Sequence, residues 1–328
     1  MPHKLWCVSG NTMTNITPLV GSISWRSNAN ELGEQLDFDI AFNDAKYFPK
    51  SPVDIGSLMI LKNENKEVNR TIVVKENIPG RSPRAYNCFD FAFYLNKSKD
   101  TYQFNKTNSN TAINEVLKRT GIAIGAVSIP NISITQIYPD KTHSEVLKDI
   151  LDLVEKETGI KCRMEMRLDK IYIEKQKDLV IAPKFKLASN IAPELVTDAI
   201  SNPNRSRSIE EMKNSIKVIS TDENKIKVGA SVKNDSLINQ YGLLQEVASV
   251  NKEDLAQAKN IASNILKELG KVFEENSITV PGNDEIRAGR MLEIEEPITG
   301  MKGKYLIENA QHTVKNGIHM CNVGLGVI

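Results

Sequence analysis

The sequence predicts an α+β chain that is mostly β, with two small β-barrel-like domains on either side of an α+β middle domain. Three observations predict it. Residues 34–42, EQLDFDIAF, put Leu36, Phe38, Ile40 and Phe42 on one face and Gln35, Asp37 and Asp39 on the other, the period of a half-buried antiparallel strand. From about residue 106 the apolar period changes to that of helices. Residues 182–208 then lose any period, with Pro183, Pro193 and Pro203 in a stretch read as a linker or long ordered connection. The expected domains are therefore residues 1–105, 106–182 and 183–328.

Taken in order, a short β run around Ile23–Trp25 precedes the alternating segment. SLMILK (57–62), EVNRTIVVK (67–75) and AYNCFDFAFYL (85–95) follow it as further strands. The stretches between them, FPKSPVDIG, NENK and NIPGRSPR, carry the Pro, Gly and Asn that turns require. In TAINEVLKRT (111–120), Ile113, Val116, Leu117 and Thr120 share a helical face that stops at Gly121. Thr142 and Glu145 make a capping box for a second helix, with Val146, Leu147, Ile150, Leu151 and Val154 as its stripe and Gly159 as its end. IKCRMEMR and KIYIEK, turning at Leu168 and Asp169, read as a hairpin with Cys162, Met164 and Met166 alternating against Arg163, Glu165 and Arg167.

In the last part, NSIKVIS and NKIKVGASVK form another hairpin, and YGLLQEVASV follows. Asn251 opens a helix that faces Leu255, Ala258, Ala262, Ile265, Leu266 and Leu269 to one side and ends at Gly270. NSITV, RMLEIEEP, GKYLIENAQHTVKN and IHMCNVGLGVI return to β, the last two joined through Asn316 and Gly317.

Composition narrows the function. With 328 residues, 40% of them hydrophobic and 25% charged, fibrous and wholly disordered classes are excluded. A single core rarely grows past about 250–300 residues, so more than one domain is expected. Lys and Arg number 42 against 41 Asp and Glu, leaving no overall field toward nucleic acid or a membrane. No sequence-specific nucleic-acid partner and no membrane partner are expected. Cys7, Cys88, Cys162 and Cys321 lie far apart with no CxxC pair, which fits buried or half-buried free thiols. No apolar run nears the roughly 20 residues that span a bilayer, and synthesis in the cytoplasm is expected.

The search for chemistry yields weak candidates. His312 and His319 fall on the two arms of the last hairpin, where Cys321 or Glu308 could complete a metal site, but metal needs three or four convergent ligands. His143, Ser144 and Glu145 are consecutive at a helix start and cannot converge as a triad. GIAIGAV (121–127) and GMKGKY (300–305) lack the context of a phosphate loop. Glu274 with Glu275, and Glu293 with Glu295 and Glu296, read as solvated strand faces rather than a glycosidase pair. GRSPRAY and PNRSRS are basic but short, without interleaved aromatics. The expectation is a protein that is not an enzyme, with no catalytic, cofactor-binding or metal-ligating residues and no cofactor.

The order and spacing of segments carry a resemblance where motifs do not. GSISWRSNANELGEQLDFDIAFN, DIGSLMILKNENKEVNRTIVVKE and YNCFDFAFYLNKSKDTYQFNKTNSNTAINEVLKRTGI, continued by NPNRSRSIEEMKNSIKVIS and YGLLQEVASV, resemble the XkdQ/YqbQ family of phage tail proteins over almost the whole chain. The resemblance implies a baseplate hub of a contractile tail or a phage-tail-like bacteriocin, similar in fold to the hubs of phage Mu and the T-even phages. It implies a homotrimer whose paired β domains present a pseudo-sixfold ring, joining the sixfold tail tube to the threefold central spike. The partners it implies are further copies of itself, the tail tube protein, the central spike protein, and LysM-type tail and baseplate wedge proteins, in a virion tail baseplate. Two other readings are a tail-associated peptidoglycan hydrolase, which needs a buried acid or Cys-His pair, and a cell-surface-binding tail component, which needs exposed aromatics.

Overall fold

The computed structural model describes residues 3–186, 190–222, 225–250 and 258–327. Its first strands are β1 (His3–Ser9), β2 (Thr12–Asn15), β3 (Val20–Asn28), β4 (Gln35–Ile40), β5 (Leu58–Asn63), β6 (Lys66–Asn77) and β7 (Arg84–Phe89). β4 lies between β3 and β7, both antiparallel to it, and the alternation of its sequence sends Leu36, Phe38 and Ile40 inward. They join Leu5, Trp25, Met59, Leu61, Tyr86 and Cys88 in one apolar core. Phe42 departs from the expectation: β4 stops at Ile40, and the Phe42 ring is exposed under the Arg84 guanidinium, 3.9 Å from the ring centre.

Residues 85–95 also differ from the expected strand. β7 ends at Phe89, and Asp90 accepts the Ala92 N–H (3.0 Å) at the start of α1 (Ala92–Lys97). The carboxylate thus replaces a helix carbonyl for a free N–H, which turns the chain where apolar alternation alone would continue it.

The next segment is α+β. β8 (Lys99–Asn108) pairs antiparallel with β10 (Ser133–Thr142), two strands that the turn-poor sequence hides. Around them run α2 (Ser109–Thr120), β9 (Ala123–Val127), α3 (His143–Thr158), β11 (Cys162–Arg167) and β12 (Lys170–Lys175). The capping box is present at Thr142 and Glu145, and Gly121 and Gly159 close their helices in the left-handed conformation. The predicted stripe of α3 is buried from Val146 to Val154, with Ile113, Val116 and Leu117 of α2, Tyr102 and Phe104 of β8, and Ile171 and Ile173 of β12. Leu168, at φ 58°, turns the β11–β12 hairpin as expected. Glu165, which alternates against Met164 and Met166, is buried as they are, at 7% exposure, for the reason given below.

Short strands β13 (Val180–Ile181), β14 (Lys184–Phe185) and β15 (Glu194–Leu195) occupy the Pro-rich stretch, which is an ordered connection over its described residues. The chain passes out along β16 (Ser201–Ser208) through β17 (Ser215–Asp222), β18 (Lys225–Lys233), α4 (Asp235–Tyr241), β19 (Gln245–Ser249) and α5 (Ala258–Leu269). It returns along β20 (Phe273–Pro281) to β21 (Met291–Glu296), β22 (Met301–Lys315) and β23 (Ile318–Val327).

Two compact units result, residues 1–203 with 277–328, and residues 204–276. In the first, the sheet follows the order β20-β23-β22-β3-β4-β7-β6-β5-β1-β2, with β21 alongside β22. The described ladders form an open path, and β22 against β3 joins the two ends of the sequence. In the second, β17 pairs antiparallel with β18 and parallel with β19, and Ala258 and Ala262 of α5 cover Ile216 and Val218. Asn251 and Leu255 of the predicted helix lie outside the described residues. The fold is mostly β with a few helices, and no helix of the described residues is long and apolar enough to cross a membrane.

Candidate functional site

Two polar clusters are buried in the first unit, where burial without partners would be costly. The larger is a charge joint. Arg287, in the loop between β20 and β21, donates from Nε to Glu34 Oε1 and from Nη1 to Glu165 Oε1 (2.9 Å) and the Met166 carbonyl (3.2 Å). Arg290 Nη2 donates to the same Glu165 oxygen at 2.6 Å. Glu34 Oε2 accepts from Asn69 Nδ2 (2.8 Å), and the Glu34 N–H donates to Asp90 (2.8 Å). Gly33, at φ 110°, leaves room for this carboxylate: a Cβ there would lie 2.8 Å from Asp90 Oδ1.

The electrostatics follow from burial and partners. Burial opposes ionisation of Glu165, yet Arg287 and Arg290 hold its carboxyl at about 2. Burial and then the Glu34 charge push Asp90 up to about 7, against its two backbone N–H bonds. Arg287 loses hydration on burial, but Glu34 and Glu165 hold it firmly protonated. The joint thus ties Glu34 at the entry to β4, Glu165 on β11 and Arg287 before β21 through one guanidinium. Beside it opens a groove of about 980 Å³ whose lining includes Arg26, Glu31, Lys148, Asp152, Arg163 and Glu308. Such mixed charge suits a polar protein segment better than an apolar small molecule.

The second cluster contains the histidines of the last hairpin. His312 and His319 face each other across β22 and β23, Nδ1 to Nε2 at 3.0 Å, and the Cys321 thiol lies 3.5 Å from His312 Nε2. Glu308 is not with them; it extends over Gly326. His3 of β1 and Asp284 of the loop after β20 join instead, His3 Nε2 donating to Asp284 Oδ1 at 3.2 Å. Trp25 stacks on His312 with ring centres 4.6 Å apart and planes 1° from parallel. Burial depresses His312 to about 4, and burial with the neighbouring histidines depresses His319 to about 3. The two are neutral at pH 7.

The other sequence candidates are held apart. His143 is buried, with Nδ1 2.7 Å from the Tyr102 hydroxyl, and burial lowers its pKa. Glu145 spends its carboxylate on the Thr142 N–H (2.8 Å) and Ser144 lies on Thr142 Oγ1 (3.2 Å). Glu274 pairs with Arg205 (2.9 Å) and Arg207 (3.1 Å), so the PNRSRS arginines and this acidic candidate neutralise each other. Glu293 and Glu295 are exposed on one strand face, while Glu296 accepts the Ile298 and Thr299 N–H groups of a turn. Lys302 of the GMKGKY segment pairs with Glu295 at 2.7 Å. Arg84 of GRSPRAY lies 3.5 Å from Glu76.

Sequence reasoning missed Glu34, Asp90, Arg287, His3 and Asp284. The partners in each cluster lie tens to hundreds of positions apart, with Arg287 and Glu34 separated by 253. Spacing carries no signal at that range. A weak local one existed: Glu34 opens the alternating segment and Glu165 sits inside a strand, places where an acid needs a reason.

No curated protein sequence matches the chain. Among solved structures, the 43 kDa tail protein of prophage MuSo2 from Shewanella oneidensis is similar at TM-score 0.69 and 12% identity, over 98% of each chain. A tail protein from Neisseria meningitidis MC58 is similar at TM-score 0.65 and 11% identity, over 98% of this chain and 96% of that one. An E. coli protein, described as a component of the type VI secretion system with structural similarity to T4 bacteriophage tail proteins gp27 and gp5, is similar at TM-score 0.53 and 9% identity. There the match covers 94% of this chain and 73% of the other. At such identities the likeness is one of fold, and the fold is that of phage tail proteins. The sequence model of the YQBQ-like family matches residues 23–326, and the chain belongs to that family.

Proposed function

We propose that the chain is a structural baseplate hub protein of a contractile phage tail or a tailocin, a trimeric adaptor between the sixfold tail tube and the threefold central spike. The observation that carries the reading is the end-to-end likeness to two tail proteins, each over 98% of this chain. The similar type VI secretion component supports a place in a contractile machine. On this reading residues 1–105 and 183–328 supply the two barrel-like domains and residues 106–182 the middle domain. Three chains then present six β domains around the axis.

The partners are two further copies, the tube protein, the spike protein, and LysM-type and wedge proteins, in the baseplate of a virion or bacteriocin. β2 supports assembly through strand edges: it ends the sheet path, and Met13 on it is 42% exposed. The work is mechanical, with interface burial as its energy source and no turnover. Cryo-electron microscopy of intact particles tests the proposal. Three copies at the centre, between the first sixfold tube ring and the spike, are expected; six copies, or a peripheral position on wedges or fibres, would overturn it.

A further inference from the structure

We propose that His3, Asp284 and His319 form a binding site for a divalent first-row transition metal, zinc by the chemistry of its ligands, that fastens β1 to the last β-hairpin. One ligand atom from each residue lies within 4.8 Å of the other two. His3 Nε2 and Asp284 Oδ1 are 3.2 Å apart, close to the edge of about 3.3 Å that a tetrahedron with bonds of about 2.0 Å requires. Two imidazoles and a carboxylate, with water as a fourth ligand, are a donor set that zinc accepts.

A second observation points to a ligand. His3 is 1% exposed, and its Nδ1 has no hydrogen-bond partner. An imidazole nitrogen buried without a partner pays for lost hydration and gains nothing in return. Coordination through Nε2 moves the proton now given to Asp284 onto Nδ1, and because no hydrogen bond fixes the tautomer at Nδ1, the ring is free to take the form a metal needs. His3 alone of the three is both fully buried and half-satisfied.

The surrounding hydrogen bonds orient the ligands. His312 lies with Nε2 2.8 Å from the Ile286 carbonyl, which can only accept, so Nε2 carries the proton and Nδ1 is an acceptor. The facing His319 Nε2 must then donate to it, leaving His319 Nδ1 with a free lone pair. This is the support that metal-ligating histidines ordinarily receive, the second N–H given to a neighbour that fixes the tautomer. Asp284 is held from behind by Asn63, whose Nδ2 donates to Oδ2 at 2.8 Å. Gly282 lets the His319 ring lie against the backbone, where a Cβ would come within 2.1 Å. The site uses one residue of the hairpin pair and replaces Cys321 and Glu308 with two residues brought in from elsewhere in the chain.

The test uses the full-length protein stripped of metal with a chelator and then titrated with zinc. Elemental analysis should find stoichiometric zinc after dialysis, and cobalt(II) should give the intense visible bands of a four-coordinate site. Asp284→Asn and His319→Gln should each weaken zinc binding by at least about tenfold, and His312→Gln by about 10–100-fold through lost orientation. Glu308→Gln should bind as the wild type does. Substoichiometric zinc on the unmutated chain, or an octahedral cobalt spectrum, would overturn the proposal whatever the variants do. So would undiminished binding by Asp284→Asn or His319→Gln.

Discussion

Replacing Arg287 by Met is expected to destabilise the first unit by about 3–5 kcal/mol at pH 7, the cost of breaking a buried ion pair from one side. The Arg287 side chain is 11% exposed and serves the side chains of Glu34 (9%) and Glu165 (8%) together. Glu165 would keep Arg290 at 2.6 Å. Glu34 would keep only Asn69 and would lie unneutralised beside Asp90. An independent magnitude comes from the Glu165 carboxyl, held at about 2 against an ordinary 4.5. At about 1.4 kcal/mol per unit this corresponds to roughly 3 kcal/mol net, after the arginines have offset the opposing cost of burial. Because the folded pKa is depressed, that stability is present above the unfolded value and is lost as pH falls through the folded one. Wild-type stability should therefore decline between about pH 4.5 and 2.

Urea unfolding followed by tryptophan fluorescence is the assay, since both tryptophans, Trp6 and Trp25, belong to the first unit. Adding Glu34→Gln to Arg287→Met should recover part of the loss, because the double variant no longer buries that unpaired charge. A loss under about 1 kcal/mol, or no recovery in the double variant, would refute the account of the joint.

Phe38→Ala should cost about 3–5 kcal/mol, since Phe38 is 3% exposed and stacks on Tyr86 at 5.2 Å; an unchanged melting temperature would mean the β4 face is not core. Thr142→Ala should cost about 1 kcal/mol by removing the cap that accepts the Glu145 N–H at 3.2 Å, with Thr142→Ser recovering most of it. Zymography on purified peptidoglycan should show no clearing; clearing abolished by one carboxylate substitution would favour the hydrolase reading.

What was legible in the sequence was what local period determines. Leu36, Phe38 and Ile40, the α3 stripe and its capping box, and the Asn316–Gly317 turn at φ 53° and 80° all stand where spacing put them. Each depends on neighbours within a few positions. The departures occur where a distant partner overrides the local pattern. Phe91–Lys97 leaves the strand where the buried Asp90 carboxylate accepts the Ala92 N–H just ahead of the helix, and Glu165 turns inward because two arginines from beyond residue 285 wait for it. The same holds for the clusters. His312 and His319 could be paired from one tight turn, but His3 and Asp284 lie 281 positions apart and meet only once β22 pairs with β3.

That dependence bears on how the chain would carry load under the proposed hub reading. The apolar cores of the first unit hold by burial, which is non-directional and tolerates small slides of one surface over another. The charge joint is different in kind: a guanidinium has a planar fork of donors, and a shift of an ångström breaks its hydrogen bonds. Arg287 places one such fork among Glu34, Glu165 and the Met166 carbonyl, fixing the geometry of three sequence-distant segments in a way apolar contact does not. Its net contribution to stability can be small compared with a well-packed apolar substitute. On the proposed hub reading its value lies in stiffness, since that reading needs two β parts held at a set angle for three chains to present six equivalent faces to the tube. Replacing Arg287, Arg290, Glu34 and Glu165 together by apolar residues, so that no member of the joint is left as an unpaired charge, should therefore separate the two roles, leaving urea stability near wild type while lowering the yield of assembled baseplates. Assembly at wild-type yield would assign the joint to stability alone.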